Sequence, residues 1–149
     1  MASIIRPPHG GTDCPEPSEL FDVTLEQDGD TVTVIARGEI DLYTAPLLSS
    51  ALREATDGSV ELVVVDLTDV SFMASSGLAA LLAGLERARR LRCELLLAGG
   101  GRAVQRPLQA AGLDGHFEQF PSAAEARRHG SRCVLPVIRA RTAPSPGTP

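Results

Sequence analysis

Ser75 and Ser76 are adjacent hydroxyls followed by Gly77, at a point where an apolar run, Leu62 to Leu67, gives way to a helical pattern ending near Arg90. The stretch between them, Asp69-Val70-Ser71-Phe72-Met73-Ala74, reads as a polar turn beyond the end of a strand. A hydroxyl pair at a helix mouth suits a phosphate, a partner protein or a nucleophile. The nucleophile needs a Gly-x-Ser-x-Gly elbow and a base within reach. Here Met73 and Ala74 stand where the first glycine would be, and the histidines are His9, His116 and His129, none with a clear acidic partner. A hydrolase is therefore disfavoured. The plain alternative is an N-cap, since serine at that position stabilises a helix by about 1 kcal/mol over alanine. That alternative does not account for Gly77, which costs about 0.5–1 kcal/mol in a helix and suits a place of close backbone approach.

Two other stretches could carry function. Gly99-Gly100-Gly101 lies between a strand and a helix pattern, as in phosphate-cradling turns, but Val104 stands at the third glycine of the dinucleotide fingerprint. A flexible loop is the simpler reading. Gly38-Glu39-Ile40-Asp41 precedes Thr44, and is either a strand-to-helix turn with two exposed acids or part of a partner surface.

The elements that must position these residues follow from periodicity. Phe21, Val23 and Leu25, then Val32, Val34 and Ala36, alternate as half-buried strands around the turn Asp28-Gly29-Asp30. Thr44 is placed to cap a helix with Pro46 in its first turn and Leu48, Ala51, Leu52 and Ala55 on its apolar face; Asp57-Gly58 ends it. Leu62 to Leu67 has the composition of a strand covered on both faces. Leu78, Leu81, Leu82 and Leu85 make a helical stripe, with Arg87, Arg89 and Arg90 near the negative end of that helix, most simply as a solvated surface. Glu94 to Ala98 is a strand, Arg102 to Ala111 a helix that Pro107 delays or kinks, Phe117 to Phe120 a short strand, and Ser122 caps a helix over Ala123 to His129. Interleaved strands and helices predict an α/β fold with a mixed sheet of about four to five strands, mostly parallel, opened by an antiparallel hairpin.

Composition bounds the rest. The 149 residues suit one domain, able to bury roughly 70% of its unfolded surface. Residues 1–18 and 131–149 are rich in Pro, Gly and Ser and are expected to be disordered, leaving 19–130 as the domain. A net charge of -5 and 3% aromatic residues argue against a nucleic-acid surface. Cys14, Cys93 and Cys133 are an odd, scattered set with no Cys/His cluster, so neither disulfides nor a metal site is expected, and free thiols suit a reducing compartment. No apolar run is long enough to span a bilayer, and Met1 to Pro17 lacks the apolar core of a secretory signal, so a cytoplasmic protein is expected.

Gly38-Glu39-Ile40-Asp41 with Thr44-Ala45, then Val65-Asp66-Leu67, Asp69 to Gly77-Leu78, and Gly112-Leu113 together resemble the STAS domain over about residues 19–130. The specific part is Ser71-Phe72-Met73-Ala74-Ser75-Ser76-Gly77-Leu78; the other pieces are weak alone but fall in the right order. The resemblance is to stand-alone bacterial anti-sigma factor antagonists and implies a non-enzymatic switch without cofactor or metal. It implies that Ser76 is phosphorylated by an anti-sigma factor that is also a GHKL-type serine kinase. The unphosphorylated protein would bind that partner and free a sigma factor in transcription or stress control, and a PP2C-type phosphatase would reset it. Glu39, Asp41, Thr44, Met73, Ala74, Ser75, Ser76 and Gly77 would form the docking surface. The family commonly carries Asp before the serine pair, where this chain has Ala74. That departure admits an alternative, a STAS binding scaffold that is not phosphorylated.

Overall fold

The computed structural model describes residues 2–5 and 21–130. Its centre is a six-stranded sheet in which strand order follows chain order. The strands are β1 (Ala2–Ile5), β2 (Phe21–Asp28), β3 (Thr31–Ile40), β4 (Leu62–Met73), β5 (Glu94–Ala98) and β6 (Glu118–Phe120). The helices are α1 (Ala45–Ala55), α2 (Ser75–Arg90), α3 (Gly101–Ala110) and α4 (residues 123–130). β1–β2 and β2–β3 pair antiparallel, and the later pairs are parallel.

The expected α/β architecture and opening hairpin hold, with one more strand than expected. The addition is β1, which lies in the 1–18 stretch expected to be disordered and pairs with residues 23–26 of β2. The rest of that stretch and the 131–149 tail lie outside the described residues.

Alternation sorts the side chains onto two faces. Val23, Val34, Val63, Val65, Leu95 and Leu97 join α1, α2 and α3 in the main core. Leu62, Val64, Leu96 and Ala98 face the other way and pack with Ala126 of α4. Each fully buried Leu or Val contributes about 1.5–3 kcal/mol. α1 and α2 lie close because a Cβ at Gly84 would stand 2.9 Å from Leu52 Cδ1. Arg87 ties the two helices, donating from Nε to Thr56 Oγ1 (2.8 Å) and from Nη2 to Asp57 Oδ1 (3.1 Å), so it is more than a solvated helix end.

Several expected boundaries move. β3 runs on through Gly38, Glu39 and Ile40, and β4 through Phe72 and Met73, because the two strands pair to their ends: Gly38 with Val70, Glu39 with Phe72, Ile40 with Met73. Register shifts between Ile35 and Arg37 and between Gly38 and Glu39 scramble the alternation that would have marked this extension. What read as a polar turn is therefore strand up to Met73. α3 is one helix despite Pro107 and starts at Gly101. Ser122 caps α4 as expected, its Oγ accepting the Glu125 amide at 3.2 Å.

Candidate functional site

The hydroxyl pair sits where β4 hands directly into α2. Ala74 alone separates them, with φ -87° and ψ 171°, and is the N-cap; Ser75 and Ser76 are the first two helical residues. The N-cap reading of the serines is thus overturned. No side chain caps this helix. Ala74 O accepts the Gly77 amide (2.9 Å) and the Leu78 amide (3.2 Å), while the first-turn amides of Ser75 and Ser76 have no intrahelical acceptor. The first turn holds no acidic residue.

The two hydroxyls differ. Ser75 is exposed, whereas Ser76 is half-buried with its Oγ fully shielded. Among the described residues, Ser76 Oγ is the buried side-chain polar atom with no hydrogen-bond partner. Such an atom costs about 1–3 kcal/mol in lost hydration. Because it makes no hydrogen bond, turning the side chain away from its present position would break none.

Gly77 is buried and resolves its own puzzle from the inside. A Cβ there would lie 2.6 Å from Ile40 Cγ2 and would overlap Met73 Sδ. The first turn of α2 is pressed onto the ends of β3 and β4, which Ala74 N also ties by donating to Ile40 O at 2.8 Å.

The neighbouring turn is built by Asp41 and Thr44. Asp41 Oδ1 accepts the amides of Tyr43 (2.9 Å) and Thr44 (3.0 Å). Thr44 Oγ1 accepts the Asp41 amide at 2.8 Å and donates to Glu39 O at 2.8 Å. Thr44 precedes α1 but makes no side-chain cap bond, because its hydroxyl is engaged in this turn. The turn holds Leu42 and Tyr43 outward, 70% and 80% exposed, and Phe72, opposite Glu39 on β4, is 49% exposed.

All eight expected partner-surface residues therefore meet at one end of the sheet. They do not play one role. Glu39 and Ser75 are exposed, and Asp41, Ala74 and Ser76 are half-buried. Thr44, Met73 and Gly77 are buried and shape the surface from behind. Leu42 and Tyr43 were not singled out from sequence, although an aromatic in a polar turn was the available signal, and Phe72 was named within the Ser71–Leu78 run but not as a surface residue.

The other candidates resolve differently. Gly99, Gly100 and Gly101 have φ of 71°, 95° and 49°, and a Cβ on Gly99 would press on the Thr68 backbone. The triplet is a fixed left-handed turn, held by Gly99 N donating to Phe120 O at 2.9 Å, rather than a flexible loop. His116 precedes β6, and His129 reaches Glu118, which pairs with Leu96 at the start of the β5–β6 ladder. Glu94 pairs with Leu62 at the start of β4, so this end of the sheet is about 40 Å of strand from Ser75. Among the described residues no histidine serves the serines as a base; His9 lies outside them. Burial, with Glu61 and then Glu94 adding negative charge, pushes the Cys93 thiol up to about 12, so it is protonated and unreactive at neutral pH. No helix of the described residues is long and apolar enough to cross a membrane.

Comparison with known proteins agrees with this architecture. The sequence profile of the STAS domain matches residues 22–126. The anti-sigma-B factor antagonist of Listeria monocytogenes is 35% identical over 95 residues, covering 62% of this chain and 82% of that protein. The anti-sigma-F factor antagonist RsfB of Mycobacterium tuberculosis is 31% identical over 104 residues, covering 70% and 84%. The crystal structure of an anti-sigma factor antagonist from Mycobacterium paratuberculosis superimposes with a TM-score of 0.65 at 32% identity, covering 72% of this chain and 94% of that one. With its profile match running from β2 through the serine-bearing helix mouth into α4, the chain belongs to the STAS domain family.

Proposed function

We propose that this protein is an anti-sigma factor antagonist: it binds an anti-sigma factor with GHKL-type serine kinase activity, frees a sigma factor in the cytoplasm, and is switched off by phosphorylation of Ser76. A PP2C-type phosphatase would restore it. The names carried by its relatives support the antagonist role. The observation that carries the switch is Ser76 itself, an unbonded hydroxyl in the first turn of an uncapped helix, beside the outward-facing Leu42, Tyr43 and Phe72.

The physics of the switch is local. Phosphoserine adds about -1.5 to -2 charges at pH 7. A helix N-terminus favours that charge by about 0.3–1 kcal/mol, and with Ala74 in place of a carboxylate nothing in the first turn repels it. The fold therefore tolerates the phosphate. The apolar surface beside it does not, because a partner seated on Tyr43 and Phe72 would have to desolvate an unpaired dianion. Each 1.4 kcal/mol of that penalty weakens binding about tenfold.

The test is incubation of the full chain with ATP and its cognate anti-sigma kinase, followed by phosphosite mapping. Transfer to Ser76 and ATP-dependent release from the kinase are expected. Ser76→Ala should keep partner binding, and Ser76→Asp should weaken it. Transfer to exposed Ser75, or none, would refute the assignment. The shielding of Ser76 Oγ and the absence of a carboxylate at Ala74 favour one other reading, a binding scaffold that is not phosphorylated. It expects partner binding that ATP does not reverse.

A further inference from the structure

We infer that Glu94, Glu118 and His129 form a binding site for a divalent transition-metal ion of the zinc class, which would clamp α4 to the edge of the sheet. The site stands at the far end of the sheet from Ser76 and is independent of the proposed switch.

The chain converges there by simple periodicities. Alternation along β5 puts Glu94 on the same face as Leu96 and Ala98, away from the main core. Leu96 pairs with Glu118 on β6, so the two carboxylates are near neighbours on that face. On α4, Ala126 packs into the Leu62, Val64 and Leu96 cluster, and His129, three residues on, returns to the same side. Gly130 fixes that end of α4, since a Cβ there would stand 2.9 Å from Leu62 Cδ1.

One ligand atom from each of the three side chains lies within 4.8 Å of the others. Glu118 Oε1 and His129 Nε2 are 3.3 Å apart. That is longer than the ~2.7–2.9 Å of a charge-assisted hydrogen bond. That spacing is close to the edge, about 3.4 Å, of a tetrahedron with metal–ligand bonds of about 2.1 Å, while the spread of the three atoms, up to 4.8 Å, requires a side-chain rotation to close the set around an ion. Phe120 lies against the imidazole, ring centroids 4.8 Å apart and planes at 43°, and so restrains its orientation. One imidazole with two carboxylates suits zinc and its neighbours better than magnesium or calcium, which take oxygen ligands alone. Three protein ligands leave a fourth position for water.

Two carboxylates lie beside one imidazole, and a dication would balance their charge. The three residues are 24 and 11 positions apart in sequence, a spacing that matches no short metal motif and explains why sequence reading passed over them.

The test uses the full chain stripped with EDTA and titrated calorimetrically with zinc chloride, with cobalt(II) absorption reporting ligand geometry. One equivalent should bind, raise the unfolding temperature and give visible cobalt bands. Glu94→Gln, Glu118→Gln and His129→Gln should each weaken zinc at least tenfold and diminish those bands, while His116→Gln should bind as the unaltered chain does. Because Glu118 is exposed, Glu118→Gln decides the matter if another variant misfolds. Absence of binding at millimolar zinc, or equal binding by the three variants, would overturn the assignment.

Discussion

Replacing Ala74 with Asp tests the geometry of the helix mouth directly. Ala74 already has the extended backbone of an N-cap, φ -87° and ψ 171°, but offers no side-chain acceptor. An aspartate there would accept the Ser76 or Gly77 amide and meet the positive end of the helix dipole. Capping gains span about 0.5–2 kcal/mol, so about 1 kcal/mol is expected. For a domain of this size that raises the unfolding midpoint by about 4 °C. Ala74→Asn supplies the same hydrogen bond without the charge. Urea titrations followed by far-UV circular dichroism at pH 7 should show both variants stabilised. The capping aspartate would have a lowered carboxyl pKa in the folded state. Its extra stability is present above about pH 4 and disappears as the pH falls further, whereas the asparagine gain persists. On a chain phosphorylated at Ser76 the aspartate should gain less than the asparagine, because its charge sits two residues from the phosphate. No gain from either variant would refute the placement of Ala74 as N-cap and, with it, the account of the open amides at Ser75 and Ser76.

Other substitutions probe the same packing. Gly77→Ala should destabilise by about 1–3 kcal/mol in the same urea assay, because the new methyl meets Ile40 and Met73; the better helix propensity of alanine, about 1 kcal/mol, offsets only part of this. Cys93 should resist thiol reagents at pH 8 in the native protein and react on unfolding, measured in a Cys14→Ser, Cys133→Ser background. Its raised pKa favours the protonated form in the folded state, so that contribution to stability is complete below the unfolded value of about 8.5 and is lost as pH rises toward about 12.

Much of this protein could be read from local pattern. Period-two runs such as Phe21-Val23-Leu25 and the stripe Leu78, Leu81, Leu85 report burial through each residue's own neighbours, so the core strands and helices stood near their expected places. The serine pair, the Gly38–Asp41 stretch and Thr44 also showed themselves by type and order. The strand continuing from Asp69 to Met73 did not, because its identity depends on pairing with β3 some 30 residues earlier, through two register shifts. That pairing carries the backbone extended into Ala74, makes Ala74 the cap and turns Ser76 inward. Packing against Ile40 and Met73, not access from outside, decides why residue 77 is glycine. The outward Leu42 and Tyr43 follow from how Asp41 and Thr44 close their turn, and Glu94, Glu118 and His129 meet only because two strands and a helix are assembled side by side. Which segments bury, and in what order they alternate, was legible in the residues alone, since those are properties of short windows. Which atoms face solvent and which meet across the sheet emerged with the assembled fold, because register and helix docking are set by contacts between residues far apart in the chain.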